Sequence, residues 1–192
     1  IQNFTSTAEI RQFLLGLNVP GCGPKTIDKI IAAYGMNTVR EIMESPDRFA
    51  SVNIPGVGVH IRKSIRDAVT EVICIHEAYS FLIRAGFPDK QASNLADRFG
   101  RKTESIFNTD PYSFTLACPE IPVEMIDNLL VKNGRYYAAS ADRLASAIMY
   151  KLRIDNAAGH VFSLESEVLS FVTNLPGLSV NITGSFRNAY RD

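Results

Sequence analysis

The stretch from Leu15 to Gly35 reads L-G-L-N-V-P-G-C-G-P-K-T-I-D-K-I-I-A-A-Y-G. Its middle, Val19-Pro20-Gly21-Cys22-Gly23, is a tight turn between two apolar-periodic segments. Pro20 fixes φ at the start of the turn, and Gly21 and Gly23 permit backbone conformations that a Cβ penalises. Pro24 suits the first position of a new helix, where its missing N–H costs nothing. Ile27, Ile30, Ile31 and Tyr34 follow at helical spacing, and Gly35 fits the residue just past a helix end. The stretch reads helix, glycine turn, helix.

The same device returns at 52–69. Ile54-Pro55-Gly56-Val57-Gly58 matches Val19-Pro20-Gly21-Cys22-Gly23 position for position, and again an amphipathic segment follows. One apolar-P-G-x-G turn is a weak signal, since any tight helix–helix connection looks like it; two in register are much stronger. With both in view the chain resembles the helix-hairpin-helix family of DNA-binding modules. The resemblance implies that two such motifs pack as a pair and hold DNA phosphates on backbone N–H groups without reading sequence. Elementary physics agrees: a glycine turn lets a phosphate come close, and the helix behind it points free N–H groups and a positive dipole end at the anion. The candidate DNA-binding residues are therefore Gly21, Cys22, Gly23, Lys25 and Thr26 in the first motif. In the second they are Gly56, Val57, Gly58, His60, Arg62 and Lys63. The competing reading is a purely structural helical hairpin with surface cations.

Composition sets the frame. The chain has 192 residues and a formal net charge of zero, so it advertises no large basic field. That disfavours strong electrostatic binding but not a contact made by backbone dipoles and a few charges. Cys22, Cys74 and Cys118 are odd in number and lack metal-ligand spacing, which suits reduced thiols in a cytoplasmic protein. No apolar run reaches membrane-spanning length and no signal peptide is recognisable, so no membrane partner is expected. The chain opens on Ile1 rather than Met, as an excised piece of a longer protein would.

Taken in order, Thr7 is a candidate cap for a helix carrying Ile10, Phe13, Leu14 and Leu17. Thr38-Val-Arg-Glu41 has the capping-box pattern, Ser45-Pro46 starts a further helix, and Val59 to Arg84 runs without Gly or Pro as one long helix or two abutting ones. The first half then overlays the second at a shift of 65 residues. Leu17 falls on Leu82, Gly21 on Gly86, Lys25 on Lys90, Tyr34-Gly35 on Phe99-Gly100, Phe49 on Phe114, and Ile61 and Ile65 on Ile126 and Leu130. Core positions and helix punctuation repeat, whereas the turn glycines do not: Gly23 falls on Pro88, Gly56 on Ile121 and Gly58 on Val123. The segment 79–137 therefore reads as a second, degenerate hairpin pair with a structural role, following a first pair at 1–78. In the alternative, Arg98, Arg101, Lys102, Lys132 and Arg135 give it DNA contacts of its own.

From 138 the pattern changes. Ser140 caps a helix with Leu144, Ile148 and Leu152 on one face, Gly159–Leu164 reads as a strand, and Glu165–Val172 as a helix. Leu178–Ile182 and Ser185–Tyr190 read as two further strands. The expected fold is mainly α, with tandem helix-hairpin-helix pairs followed by a small α+β, winged-helix-like unit at 138–192. This order, with Phe13-Leu14-Leu15-Gly16, Gly21-Cys22-Gly23-Pro24-Lys25-Thr26 and Gly159-His160-Val161-Phe162-Ser163-Leu164, resembles the amino-terminal region of RecD-like helicases, the exodeoxyribonuclease V alpha-chain-like proteins. The resemblance covers nearly the whole chain and departs at Cys118-Pro-Glu-Ile-Pro122, where the subgroup keeps a glycine turn. It implies a parent enzyme that unwinds DNA five-prime to three-prime with ATP and Mg, in repair or recombination. The helicase core of the same chain would be a partner, and a monovalent cation would sit on the hairpin carbonyls.

No engine for that chemistry is present. Gly21-Cys-Gly-Pro-Lys-Thr26 has the wrong glycine spacing for a Walker A loop and follows a helix rather than a strand. Asp67 and Glu71 read as surface acids, and His60, His76 and His160 are too scattered for a metal site. No catalytic or metal-binding residue is assigned. The function classes left are DNA binding and, as the alternative, a scaffold that docks a partner protein or the helicase core.

Overall fold

The computed structural model describes residues 4–135 and 140–175. The chain divides into two compact units, Ile1–His76 and Glu77–Asp192.

In the first unit, α1 (Thr7–Gly16) is capped by Ser6, whose Oγ accepts from Glu9 N at 3.2 Å, and not by Thr7, which is the first helical residue. Ile10 and Leu14 bury its inner face. α2 (Pro24–Tyr34) opens on proline behind an extended Gly23 and stops at Gly35, whose φ of +56° favours glycine. A 3₁₀ turn (Gly35–Asn37) runs straight into α3 (Thr38–Glu44). The capping box expected at 38–41 does not form. Thr38 is already inside the helical run, and its hydroxyl donates back to Gly35 O at 2.7 Å. α4 (Pro46–Ser51) buries Phe49 against Tyr34, ring centroids 5.8 Å apart. α5 (Val59–Ala85), which begins in this unit and ends in the second, is a helix of 27 residues, as a stretch free of Gly and Pro allows.

The second unit repeats this order. α6 (Asp89–Phe99), a 3₁₀ turn (Gly100–Lys102) and α7 (Thr103–Thr109) stand 65 residues from their counterparts, and α8 (Ser113–Ala117) and α9 (Val123–Lys132) follow. The Tyr34–Phe49 contact recurs as Phe99–Phe114 at 5.4 Å with the same 45° tilt. Phe87, Phe107 and Phe114 centre this core, each buried ring contributing roughly 1.5–3 kcal/mol.

The register is corrected in the last turn. The Ile54–Val57 turn corresponds to Cys118–Ile121, a shift of 64, so Gly56 stands opposite Glu120 and Gly58 opposite Pro122. The apolar position enforces this. Val57 and Ile121 are both buried, and each donates its N–H to the residue three before it, at 3.0 and 2.9 Å.

Beyond the repeat, Ser140 caps α10 (Ala141–Ala157) as its sequence predicts, accepting from Arg143 N at 3.1 Å. α10 packs on α8 and α9, and α11 (Glu165–Thr173) packs on α10. The strand expected at 159–164 is a loop instead. No other strand lies beside it among the described residues, and Asp155 takes up its polar groups: His160 N donates to Asp155 O at 3.0 Å and Ser163 Oγ to Asp155 Oδ2 at 2.5 Å. Val161 and Phe162 are left 95% and 74% exposed. Among the described residues this part of the chain is two helices and a loop rather than an α+β unit; the strands expected at 178–182 and 185–190 lie outside those residues.

Candidate nucleic-acid interface

The two glycine turns of the first unit share one geometry. Pro20 and Gly21, and Pro55 and Gly56, occupy the central positions of turns closed by Cys22 N to Val19 O and Val57 N to Ile54 O, each at 3.0 Å. Gly21 and Gly56 have φ of +76° and +74°. Proline followed by a positive-φ glycine is the type II turn. Positive φ thus belongs to the first glycine of each pair. Gly58 lies outside that region and so does Gly23, with φ −87°, although its place in the turn suggested such a conformation. The second glycine serves space rather than backbone: a Cβ built on Gly23 or Gly58 meets nothing within 4 Å.

The side chains of Cys22 and Val57 turn inward onto the core, so only their backbone faces out; burial pushes the Cys22 thiol pKa up. Around them the N–H groups of Gly21, Gly23 and Lys25 find no acceptor among the described residues, nor do those of Gly56, Gly58 and Val59. Each set lies at or just before a helix start, where orphan donors and the positive dipole end coincide. Lys25, His60 and Lys63 are exposed beside them and Thr26 is half-buried.

Arg62 has a different role from the one its position suggested. It is 4% exposed, and its guanidinium donates to the carbonyls of Ala50 (3.3 Å) and Val57. It pins α5 to the second turn and is not free to meet a phosphate. The residue missed from sequence is Lys29, one turn of α2 beyond Lys25, whose ammonium lies where a side chain on Gly56 would begin. Its helical position was legible; its meeting with a turn 27 residues away was not.

The second unit closes the same positions. Pro88 and Pro122 replace Gly23 and Gly58 at the helix N-caps, each extended (ψ 152° and 154°) and each without an N–H. Glu120 replaces Gly56 and keeps negative φ, so the central peptide of its turn is flipped relative to the type II form. Lys90, the counterpart of Lys25, ends 3.3 Å from the Glu120 carboxylate. Arg98 donates to Ala117 O at 2.7 Å, and Arg135 is engaged with Asn108 and the Phe107 ring. These two cations hold the fold together.

Among the described residues no cluster of His, Cys, Asp or Glu suits a metal ion, and no helix is long and apolar enough to cross a membrane. Comparison with curated proteins and with solved structures returned no match. Comparison with family models gave one match, to the HHH domain of the ATP-dependent RecD2 DNA helicase, over residues 74–162. The match spans α6 to α10 and ends in the Asp155-anchored loop, so that residues 74–162 of this chain are similar to a helix-hairpin-helix region of a RecD2-like helicase.

Proposed function

We propose that the first unit is a helix-hairpin-helix pair that binds DNA by its phosphate backbone, without reading sequence, as part of the amino-terminal region of an ATP-dependent helicase. The observation that carries this is the pair of type II turns, each presenting unpaired N–H groups and an open glycine at a helix start. Phosphate contacts fix position without sequence information, and a net charge of zero implies few of them. The helicase core with its ATP and Mg, the five-prime to three-prime polarity, the repair or recombination role and a cytoplasmic location all belong to this proposal for the parent enzyme. A monovalent cation fits the carbonyls of the first turn better than those of the second, where the Arg62 guanidinium already holds Val57 O.

The test is fluorescence anisotropy of the whole chain with duplex and single-stranded oligonucleotides of unrelated sequence, across a salt series. Weak binding, alike for all sequences and lost as salt rises, is expected. No binding at low salt, or a strong preference for one sequence kept at high salt, overturns the reading.

The scaffold reading keeps a place for the second unit alone. Pro88 and Pro122 remove the N–H groups that Gly23 and Gly58 supply, Gly86 N is already bonded to the carbonyls of Leu82 and Ile83, and the Glu120 side chain stands at the last turn, while Val161 and Phe162 stand exposed on an anchored loop. Such a surface suits a protein contact, with the helicase core as the partner.

A further inference from the structure

The second unit shows what the first leaves open. At the third position of its last turn sits an anion, the Glu120 carboxylate, and a lysine from the preceding motif's helix, Lys90, comes to 3.3 Å of it. The corresponding place in the first unit is Gly56, which carries no carboxylate. There too a lysine from the preceding motif's helix arrives: the Lys29 ammonium lies over the Gly56 backbone, and the ion pairs found among the described residues do not include it. An ammonium held over a bare glycine turn, where the sister unit places a carboxylate, marks an anion position whose anion comes from outside the protein.

We propose that Lys29 is a phosphate-binding residue that extends the anion surface of the first glycine turn to the second. The inference rests on the DNA-binding reading given above. Lys25 and Lys29 are four residues apart on α2, so they share a face about 6 Å along the axis. Lys25 lies at the helix start behind the first turn, and Lys29 reaches the second turn. One helix face thereby carries positive charge from one set of free N–H groups to the next. In the second unit the equivalents are Lys90 and Asn94: one lysine is neutralised by Glu120 and the other is absent.

The experiment is DNA affinity across a salt series for the whole chain and for Lys29→Met, Lys29→Arg and Lys132→Met, with thermal melting to confirm folding. Lys132 is the control. Its ammonium lies over Gly86 as Lys29 lies over Gly56, but beside a proline-capped helix. Lys29→Met is expected to lower the slope of log K against log salt by about 0.9, one phosphate contact. Lys29→Arg should restore the slope and Lys132→Met leave it unchanged. If the wild-type chain binds and Lys29→Met keeps the wild-type slope, or Lys132→Met lowers it equally, this inference fails while the DNA-binding reading stands. If the wild-type chain binds no DNA, both fall.

Discussion

The Arg143 guanidinium holds Asp127 at two points, Nε 2.8 Å from Oδ1 and Nη2 2.5 Å from Oδ2, and the Tyr112 hydroxyl donates to the same Oδ1 at 2.7 Å. Both charges are buried, and they tie α10 to α9 and the start of α8. Removing either one strands the other in a dry interior. Asp127→Ala or Arg143→Ala is expected to lose about 3–5 kcal/mol of stability. The double replacement Asp127→Leu with Arg143→Met, which removes both charges, should lose much less. Urea unfolding followed by circular dichroism decides. A double variant as unstable as the single ones would show that volume, not charge, sets the loss.

Arg62→Ala should destabilise the first unit. It leaves the buried carbonyls of Ala50 and Val57 without a charged donor, a loss of about 1.5–3 kcal/mol per bond at most. Its effect on DNA affinity should follow the loss of folded protein rather than the removal of one phosphate contact. Affinity corrected for the folded fraction, measured at several salt concentrations, should keep the wild-type slope; a slope shallower by about one contact would put Arg62 on the DNA after all.

The two glycines of each turn should respond differently. Gly58→Ala meets open space and ordinary φ, so folding is expected to be unchanged while DNA affinity falls, because the methyl stands where a phosphate approaches. Gly56→Ala adds strain at φ +74° and collides with the Lys29 ammonium, so it should lose about 1–2 kcal/mol of stability as well. Melting temperatures and anisotropy on the same two proteins separate these effects. Equal stability of the two variants would contradict the turn assignment.

What the sequence made legible was whatever depends on neighbours along the chain. Pro24, Gly35, Ser140 and the Gly/Pro-free run from Val59 placed their helices because caps, breakers and periodicity act within a few residues. The Tyr34–Phe49 and Phe99–Phe114 pairs made the repeat readable. The one-residue slip at Cys118–Pro122 was hidden, because only the burial of Ile121 reveals which residue is the turn's apolar position. Arg62 carried the charge of a phosphate ligand, but its role is set by Ala50 and Val57 carbonyls folded over it. Val161 and Phe162 have strand-forming side chains; a strand also needs a partner, and a local pattern cannot supply one.

Acid should act on the 159–164 loop through Asp155. Hydrogen bonds from Lys151 and Ser163 hold its carboxyl below the ordinary carboxylate range, against the opposing effect of burial. A group whose folded pKa is depressed contributes stability above its unfolded value, about 3.9, and loses that contribution as pH falls through the folded value. The loop anchor is therefore expected to be intact at neutral pH and to weaken only below about pH 4. Ser163→Ala should move the Asp155 titration upward, as followed by NMR of its carboxylate. An unchanged midpoint would mean that the Ser163 contact does not hold the charge.

The exchange of glycine for proline at the helix starts has a consequence in the denatured chain. A proline that fits its native backbone restricts the unfolded ensemble and stabilises a fold by about 0.4–1 kcal/mol relative to a freer residue. Pro88 and Pro122 give the second unit that advantage twice, and Gly23 and Gly58 withhold it from the first. The first unit's open cradle thus rests on chain freedom that folding must quench. Nothing visible in its contacts records that burden, which lies in the entropy of the unfolded state.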